Sequence, residues 1–585
     1  SASRKVAGPD SQGICIMAFR FVCRHALWVI SLGVADAQSQ RPNFIFFMPD
    51  EMRAESMGVY GGPAPTPNFQ RLAANGVKFE QCHTSYTVCS QSRAAFMTGW
   101  PTHVAGHRSL WYLLQQWEPN MLKYLKSAGY EVRWWGKNDL LAADSFPDSV
   151  DSAMSALGVS PVLARNIARG NLSDPRYYSF LYEPLPKWAV DETGDARNVF
   201  KAIEFLKLKQ KEFKRGATES KPFAVYLPLF LPHPPYTAPE PFYNLINRSE
   251  IPPLRPIGVK GKPDFHRLIR EYRHLPSSET FLRELHAVYL GSIAYNDYLL
   301  GKLLDALDET GLASTTNVFA WADHGDYAGD WGLVEKWPSG LEDVLTRVPL
   351  IAAGPSITSR GATIGPQPVQ LFNLVPTVLE LANITVNHTH FATSLVPELR
   401  SQPRETGSAL SAVFAEGGYS TQEPRDNEGW LGRDKRRRPR DIYFPKRLQQ
   451  REQPLSVCRA VMVRTAEAKL VLRMDQSDSN TDLGYGKSAR ACQSQSELYN
   501  LTADPRELEN LFFESRVIAL RMDLQEKILR WLFLTSDVAP WADDDRRTRK
   551  YPRGFTSGLS PDEVMLDDGA GATFLVKSDD QVISV

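Results

Sequence analysis

Short apolar runs alternate with helix-like stretches along the chain as far as about Leu395. "NFIFFM" (43–48) lacks helical spacing and stops at "PDE", as a strand buried on both faces does. "TPNFQRLAANG" (66–76) then predicts a helix, with Thr66 placed to cap it, Pro67 suited to its first position and Gly76 to its stop. Further strands are predicted in "VKFEQC" (77–82), "YEVRWWGK" (130–137), "PFAVYLPLF" (222–230), "NVFAWADHGD" (317–326) and "VPLIAAG" (348–354). Helices are predicted in "NMLKYLKSAG" (120–129), across 282–311 and in "LFNLVPTVLELA" (371–382). Strands alternating with helices imply an α/β class, with a large, mostly parallel sheet and helices on both faces.

Beyond Leu395 the pattern changes. A polar, basic, proline-containing stretch (426–454) reads as a long loop, "RAVMVRTAEAKLVLRM" (459–474) as a hairpin and 515–534 as an amphipathic helix. The expected organisation is a leader over 1–40, a large α/β domain over 41–395 and a smaller α+β domain over 396–585.

Composition narrows the partners. Lys plus Arg and Asp plus Glu are both 67, so the net charge is zero, which argues against a nucleic-acid partner but allows a local basic site. The basic run from Arg433 to Arg447 has three readings: a solvated loop, a hold on a polyanionic sulfated glycan, or a proprotein cleavage site. From Met17, two arginines (Arg20, Arg24), an apolar run Ala26 to Val34 and "ADA" ending at Ala37 have the order of a secretory signal peptide, and the run is too short to span a bilayer. Secretion would make the sequons at Asn171, Asn247, Asn383, Asn387 and Asn500 glycosylation candidates. Removing the leader takes Cys15 and Cys23 with it. Of the remaining cysteines, Cys458 and Cys492 flank the hairpin and are the disulfide candidates, whereas Cys82 reads as a buried thiol.

In open α/β sheets, ligands bind beyond the carboxyl ends of strands. Two such ends are acidic here: Asp50-Glu51 and Asp323-His324-Gly325-Asp326. Asp after a strand is often only a turn residue. With Cys89 and Arg93 in "SYTVCSQSRAAFMTGW" (85–100), the acidic ends make a metal site with an adjacent nucleophile plausible. Oxygen-rich ligation suits a hard divalent cation such as calcium or magnesium. Cys89 alone is open to four readings: buried thiol, half of a disulfide, thiolate nucleophile, or cysteine destined for modification.

Six segments, in order, resemble the sulfatases of the alkaline-phosphatase superfamily, of arylsulfatase type. They are "NFIFFMPDEMR" (43–53), "CSQSRAAFMTG" (89–99), "WWGKNDL" (134–140), "YLPLFLPHPPY" (226–236), "ADHGDYAGDWGLVEKW" (322–337) and "SELYNLTADPRELENL" (496–511). The resemblance implies an alkaline-phosphatase-like fold and a sulfuric ester hydrolase. It implies oxidation of Cys89 to formylglycine by a formylglycine-generating enzyme, and one divalent metal ion, calcium first. It implies that Asp50, modified Cys89, Asp323 and His324 hold the metal, with Glu51 standing where many relatives have a second Asp or an amide. Arg93 would orient the formylglycine, Lys137 and Lys336 would neutralise sulfate oxygens, and His233 would meet the sulfate or protonate the leaving oxygen. A hydrated aldehyde attacks sulfur with one hydroxyl and expels sulfate through the other, an exit that an ordinary serine ester lacks.

Two positions depart from the family pattern. Gln91 occupies the place of a Pro or Ala in the modification signature. Asp139 occupies the place of a His that deprotonates the diol, so the base is either Asp139 or another group such as His107. His103, in the same "PTHVAGHRSL" (101–110), could lie near the pocket or be structural. Loops 141–184 and 246–278 are expected to set substrate choice. The competing functions are a secreted sulfate-ester hydrolase, a phosphonate or phosphate-ester hydrolase, and a catalytically silent protein that binds sulfated glycan.

Overall fold

The computed structural model describes residues 41–584 apart from 111, 155–184, 186–189, 215–220, 404–410, 420–445, 447–448, 451, 475–490, 537–562, 568–572 and 578–581. The leader, Asn171 and nearly all of the 433–447 basic run therefore lie outside the described residues, as does most of the 141–184 loop. Pro42 to Val585 form one compact unit. No helix among the described residues is long and apolar enough to cross a membrane.

The main sheet has eight strands: β1 (Asn43–Asp50), β2 (Gly76–Phe79), β3 (Glu131–Trp135), β4 (Ser152–Met154), β5 (Phe223–Pro232), β6 (Thr316–Trp321), β7 (Leu350–Ala353) and β8 (Ala362–Ile364). Their spatial order is β8-β2-β7-β6-β1-β5-β3-β4. Only β7 runs against its neighbours. β1 is central and pairs in parallel with β5 and β6, with Phe47 opposite both Leu227 and Ala320. That shared register brings the carboxyl ends of β1, β5 and β6 to one edge. β1 is apolar on both faces because both are covered, and Phe44 through Met48 are fully buried. Each such side chain contributes about 1.5–3 kcal/mol of burial free energy.

The helices form two groups, as helices on opposite faces of a sheet do. One contains α1 (Pro67–Ala74), α4 (Gly194–Lys214) and the long α6 (Glu279–Thr310), the other α2 (Cys89–Thr98), α3 (Met121–Ser127) and α7 (Leu374–Leu381). The short α5 (Asp264–Tyr272) precedes α6. Pro67 does open α1, but Thr66 does not cap it. Its hydroxyl instead accepts from the Val59 N–H at 3.0 Å, so the preceding turn wins the side chain. Gly76 does not stop α1 either: the helix ends at Ala74 and Gly76 is the first residue of β2. There a Cβ would lie 2.0 Å from the Ala352 carbonyl oxygen, so the glycine serves strand approach.

A second, antiparallel sheet contains β9 (Val413–Gly417), β10 (Arg459–Arg464), β11 (Ala468–Met474) and β12 (Glu497–Asn500), in that order. Helix α8 (Ile518–Thr535) lies on it, with Trp531 stacked on Phe414 at 4.9 Å. The two sheets are joined by buried charge. Lys469, fully buried, donates to Asp343 at 2.8 Å and to Glu507 at 2.7 Å. Cys458 and Cys492 form a disulfide, with Cα atoms 5.7 Å apart, and Cys82 is a buried free thiol. Asn247, Asn383, Asn387 and Asn500 are exposed.

The disulfide closes a 34-residue separation, so replacing both cysteines with Ala should lower the unfolding free energy by about 3–4 kcal/mol through loop entropy. Urea unfolding measures this, and an unchanged midpoint would show that the cross-link restrains nothing in the unfolded chain.

Candidate active site

Cys89 is the first residue of α2, and all ten residues of that helix are buried. Its Sγ lies 3.6 Å from Asp50 Oδ1, 3.6 Å from Lys137 Nζ and 3.3 Å from His324 Nε2. Burial and Asp50 push the thiol well above its usual range, with Lys137 and Lys336 only partly offsetting them. As a cysteine, this side chain is a protonated thiol and not a thiolate nucleophile.

The residues after Cys89 have defined tasks. Ser90 donates to the Leu110 carbonyl at 3.1 Å, and Ser92 to the Asp323 carbonyl at 2.6 Å. Gln91 is buried and donates to the Arg108 carbonyl at 3.0 Å. Arg93 spans two strand ends: its Nη2 donates to Asp50 at 2.8 Å and its Nε to Asp323 at 2.9 Å, all three side chains being fully buried. Burial alone would raise Asp50, but Lys137 at 2.6 Å and Arg93 outweigh it and hold its carboxyl well below the usual range.

Lys137 follows β3. Gly136 precedes it at φ +142°, and a Cβ there would lie 2.1 Å from the Pro228 carbonyl oxygen. Only glycine lets the chain pass β5 this closely, and the Lys137 N–H then donates to that carbonyl at 2.8 Å. Asp139 meets Lys137 Nζ at 2.9 Å. Burial would raise its pKa, yet Lys137 and Arg93 leave it lowered.

Glu51 turns out of β1 at φ +63°. Its N–H donates to Asp323 Oδ1 at 3.1 Å, and its carbonyl accepts from Tyr289 at 2.7 Å. Its carboxylate pairs with Lys336 and lies 3.2 Å from His233 Nε2. His233 Nδ1 lies 2.6 Å from the Pro234 carbonyl, which fixes its proton there. Nε2 is then free to accept from Lys336 Nζ at 2.8 Å, and burial and Lys336 keep the ring neutral. His324 is fixed similarly, its Nδ1 lying 2.9 Å from the Gly325 carbonyl, so its Nε2 lone pair faces Cys89.

Asp50, Glu51, Cys89 and His324 offer ligand atoms that all lie within 4.8 Å of one another. Asp323 stands beside this group. Its oxygens accept from Arg93 and from the N–H groups of Glu51 and His324, and this orients the ligands. The residues fit a divalent cation on two counts. Glu51 Oε2 and Asp326 Oδ2 are both buried without a hydrogen-bond partner; burial raises both carboxyls, and Asp326 raises Glu51 further. A divalent cation here would also hold the Glu51 and Asp326 carboxyls ionised, as Lys137 and Arg93 hold Asp50.

Two histidines named from the sequence are committed elsewhere. His103 bonds Glu416 at 2.8 Å and Thr535 at 2.8 Å, and His107 bonds Glu118 at 2.9 Å and the Tyr112 carbonyl at 2.6 Å. With both ring nitrogens engaged, they tie segments together. The sequence names Asp326 only as part of an acidic strand end and gives Tyr236 and Tyr289 no role. Tyr236 donates to Asp326 at 2.7 Å and receives the Glu335 N–H at 2.7 Å. Asp326 and Tyr236 lie inside motifs already singled out, whereas Tyr289 is one apolar-face residue among many in α6.

The family model "Sulfatase" matches residues 42–384. The chain is 27% identical over 374 residues to an uncharacterized sulfatase, YidJ, of Escherichia coli, covering 59% of this chain and 68% of that protein. It is 26% identical over 402 residues to a choline-sulfatase of Rhizobium meliloti, covering 65% and 75%. Its fold is similar to the crystal structure of a phosphonate monoester hydrolase of Agrobacterium radiobacter, with TM-score 0.63, 19% identity and 85% and 96% of the two chains covered.

Arg93→Met should cost about 3–5 kcal/mol of stability, because it leaves Asp50 and Asp323 buried without their shared cation. Arg93→Lys should recover only part, since one ammonium cannot reproduce the guanidinium fork. Denaturant unfolding of both variants checks this; a Met variant as stable as the parent would remove Arg93 as the clamp.

Proposed function

The chain belongs to the sulfatase family of sulfuric ester hydrolases, and from that membership we propose that it hydrolyses a sulfate ester with a formylglycine made from Cys89 and one divalent metal ion, calcium first. The observation that carries the reading is the placement of Cys89 Sγ among Asp50, Lys137 and His324, with Arg93 clamping the two acidic strand ends. Asp50, Glu51, Asp323, His324 and position 89 would hold the ion, and Asp323 would also orient its neighbours through the N–H groups of Glu51 and His324. Aldehyde hydrate and ion together would supply the attacking oxygen and the positive charge that draws the sulfate in.

The other side chains supply binding and proton handling. Lys137 and Lys336 both act electrostatically on position 89 and so are placed to neutralise sulfate oxygens. Lys336 Nζ and His233 Nε2 share a proton at 2.8 Å, and whichever of the two holds it would give it to the leaving oxygen. Asp139, which Lys137 and Arg93 hold low, would serve as the base and also fixes the Lys137 ammonium. The Cys458–Cys492 disulfide supports an oxidising compartment, in keeping with the leader and a secretory route on which a formylglycine-generating enzyme would act.

A second reading, phosphonate or phosphate-ester hydrolysis, is favoured by the fold shared with the Agrobacterium phosphonate monoester hydrolase. Peptide mass spectrometry of protein from its native host should show position 89 about 18 Da lighter than cysteine, SH and H having given way to a carbonyl oxygen. An unmodified thiol throughout would overturn the formylglycine assignment. Parallel assays with the sulfate and phosphonate esters of one phenol should favour the sulfate; the reverse preference would select the second reading.

Asp139→Asn should lower kcat on the aryl sulfate by about tenfold or more with KM little changed, because an amide accepts no proton at working pH. Steady-state kinetics within twofold of the parent would take Asp139 out of the proton path.

A further inference from the structure

Helix α8 is apolar on two faces. Leu524, Ile528, Trp531 and Thr535 are buried, on the side that packs against β10 and β11. The other side carries Ile518, Met522, Leu529 and Phe533, which are 44%, 62%, 68% and 79% exposed. On an α-helix these four positions fall within about 60° of one another, centred roughly 140° from the buried stripe. Of the thirteen large apolar side chains exposed among the described residues, seven lie between Phe513 and Leu534, so exposed apolar surface is concentrated on this element. A single exposed leucine needs no explanation, but a helix with apolar stripes on opposite sides has the pattern of one covered on both.

The spacing of the outer stripe indicates what covers it. Positions 518 and 533 have the same midpoint as 522 and 529, between Gln525 and Glu526. A second α8 laid antiparallel about that point sets Ile518 against the partner's Phe533 and Met522 against the partner's Leu529. Charge agrees with this direction. Asp523 and Glu526 precede Lys527 and Arg530, with which they pair inside the helix at 3.4 and 2.8 Å. Antiparallel helices place the acidic half of one beside the basic half of the other, whereas parallel helices place like beside like. Ile518, Met522, Leu529 and Phe533, with Leu534 beside them, present roughly 600 Å² of apolar surface, at the upper limit of what monomers leave bare. With its polar rim, the face approaches the about 800 Å² per partner of a stable interface.

We propose that the outer face of α8 is a homodimer interface, in which α8 of two copies packs antiparallel about a two-fold axis passing between Gln525 and Glu526. A contact between identical surfaces about a two-fold axis requires self-complementary spacing, and that is what the stripe has. A segment from elsewhere in the chain, or an unrelated protein, would need no such symmetry. The interface lies on the second sheet's helix and is independent of the reaction assigned to Cys89.

Sedimentation velocity of the full chain should give twice the chain mass at micromolar concentration. Met522→Glu combined with Leu529→Glu should raise the dimer dissociation constant by at least about a hundredfold, because four carboxylates would be buried without partners. Both positions are exposed in the single chain, so cooperative melting should be retained. A short bismaleimide should link Glu526→Cys chains into dimers beyond the level of the unsubstituted chain. It should not link Ile518→Cys chains, whose thiols would stand about 22 Å apart along the axis, fifteen residues of rise. This second measurement stands if the glutamate variant fails to fold. A monomer at these concentrations would overturn the proposal, whether the stripe is bare or covered by the chain's own residues beyond Ser536. So would a dimer that survives both glutamates, or linking of Ile518→Cys chains, the mark of parallel helices.

Discussion

The buried guanidinium of Arg93 is the constraint on which the site depends. It joins the ends of β1 and β6 through Asp50 and Asp323 and is itself carried by the helix that begins at Cys89. None of these three charges reaches water. Each is tolerable only because the others are in place, so strand register, helix position and nucleophile position are set together. Arg93 and Lys137 share Asp50 Oδ2, which leaves Oδ1 toward Cys89 and the metal group, while Asp323 holds the N–H groups of Glu51 and His324.

Around that clamp, the backbone is bent to place charge where strands end. Glu51 and Asp139 both adopt left-handed backbone conformations that side-chain-bearing residues avoid, and both contact a lysine. Such conformations cost of order 1–3 kcal/mol each and persist where surrounding interactions over-determine them. Here the Tyr289 hydroxyl and the Asp323 carboxylate grip the Glu51 peptide from both sides. The site combines a rigid parallel core with a rim held by hydrogen bonds.

Much of this was legible in the sequence, for physical reasons. Strands buried on both faces are continuous apolar runs, so β1, β5 and β6 stood out, and a charge directly after such a run marks a ligand-facing strand end. The role of Cys89 came only from resemblance, since one cysteine beside serines has no unique chemistry. Thr66 and Gly76 were misassigned because local rules assume that side chains serve their own helix, whereas Thr66 serves Val59 and Gly76 makes room for Ala352. Tyr289 could not be found, because a phenol that reaches from α6 to Glu51 looks like any other aromatic on a buried helix face. The sequence leaves His103 open between pocket and structural roles and His107 as an alternative base, and their partners Glu416 and Glu118 mark both as ties.

The ammonium of Lys469, shared between Asp343 and Glu507, has a consequence for how this architecture can be divided. A break introduced between Leu395 and Val413 would follow a change of sheet, and by sequence it looks like a seam. Physically it would separate an anion in the first segment from its only fully buried cation in the second, and would strip Arg464 from Asp343 as well. The two sheets are therefore not interchangeable cassettes. Chimaeras with related chains would need to exchange Asp343, Arg464, Lys469 and Glu507 as one set, and the crossover point that keeps them together lies outside the span from Asp343 to Glu507.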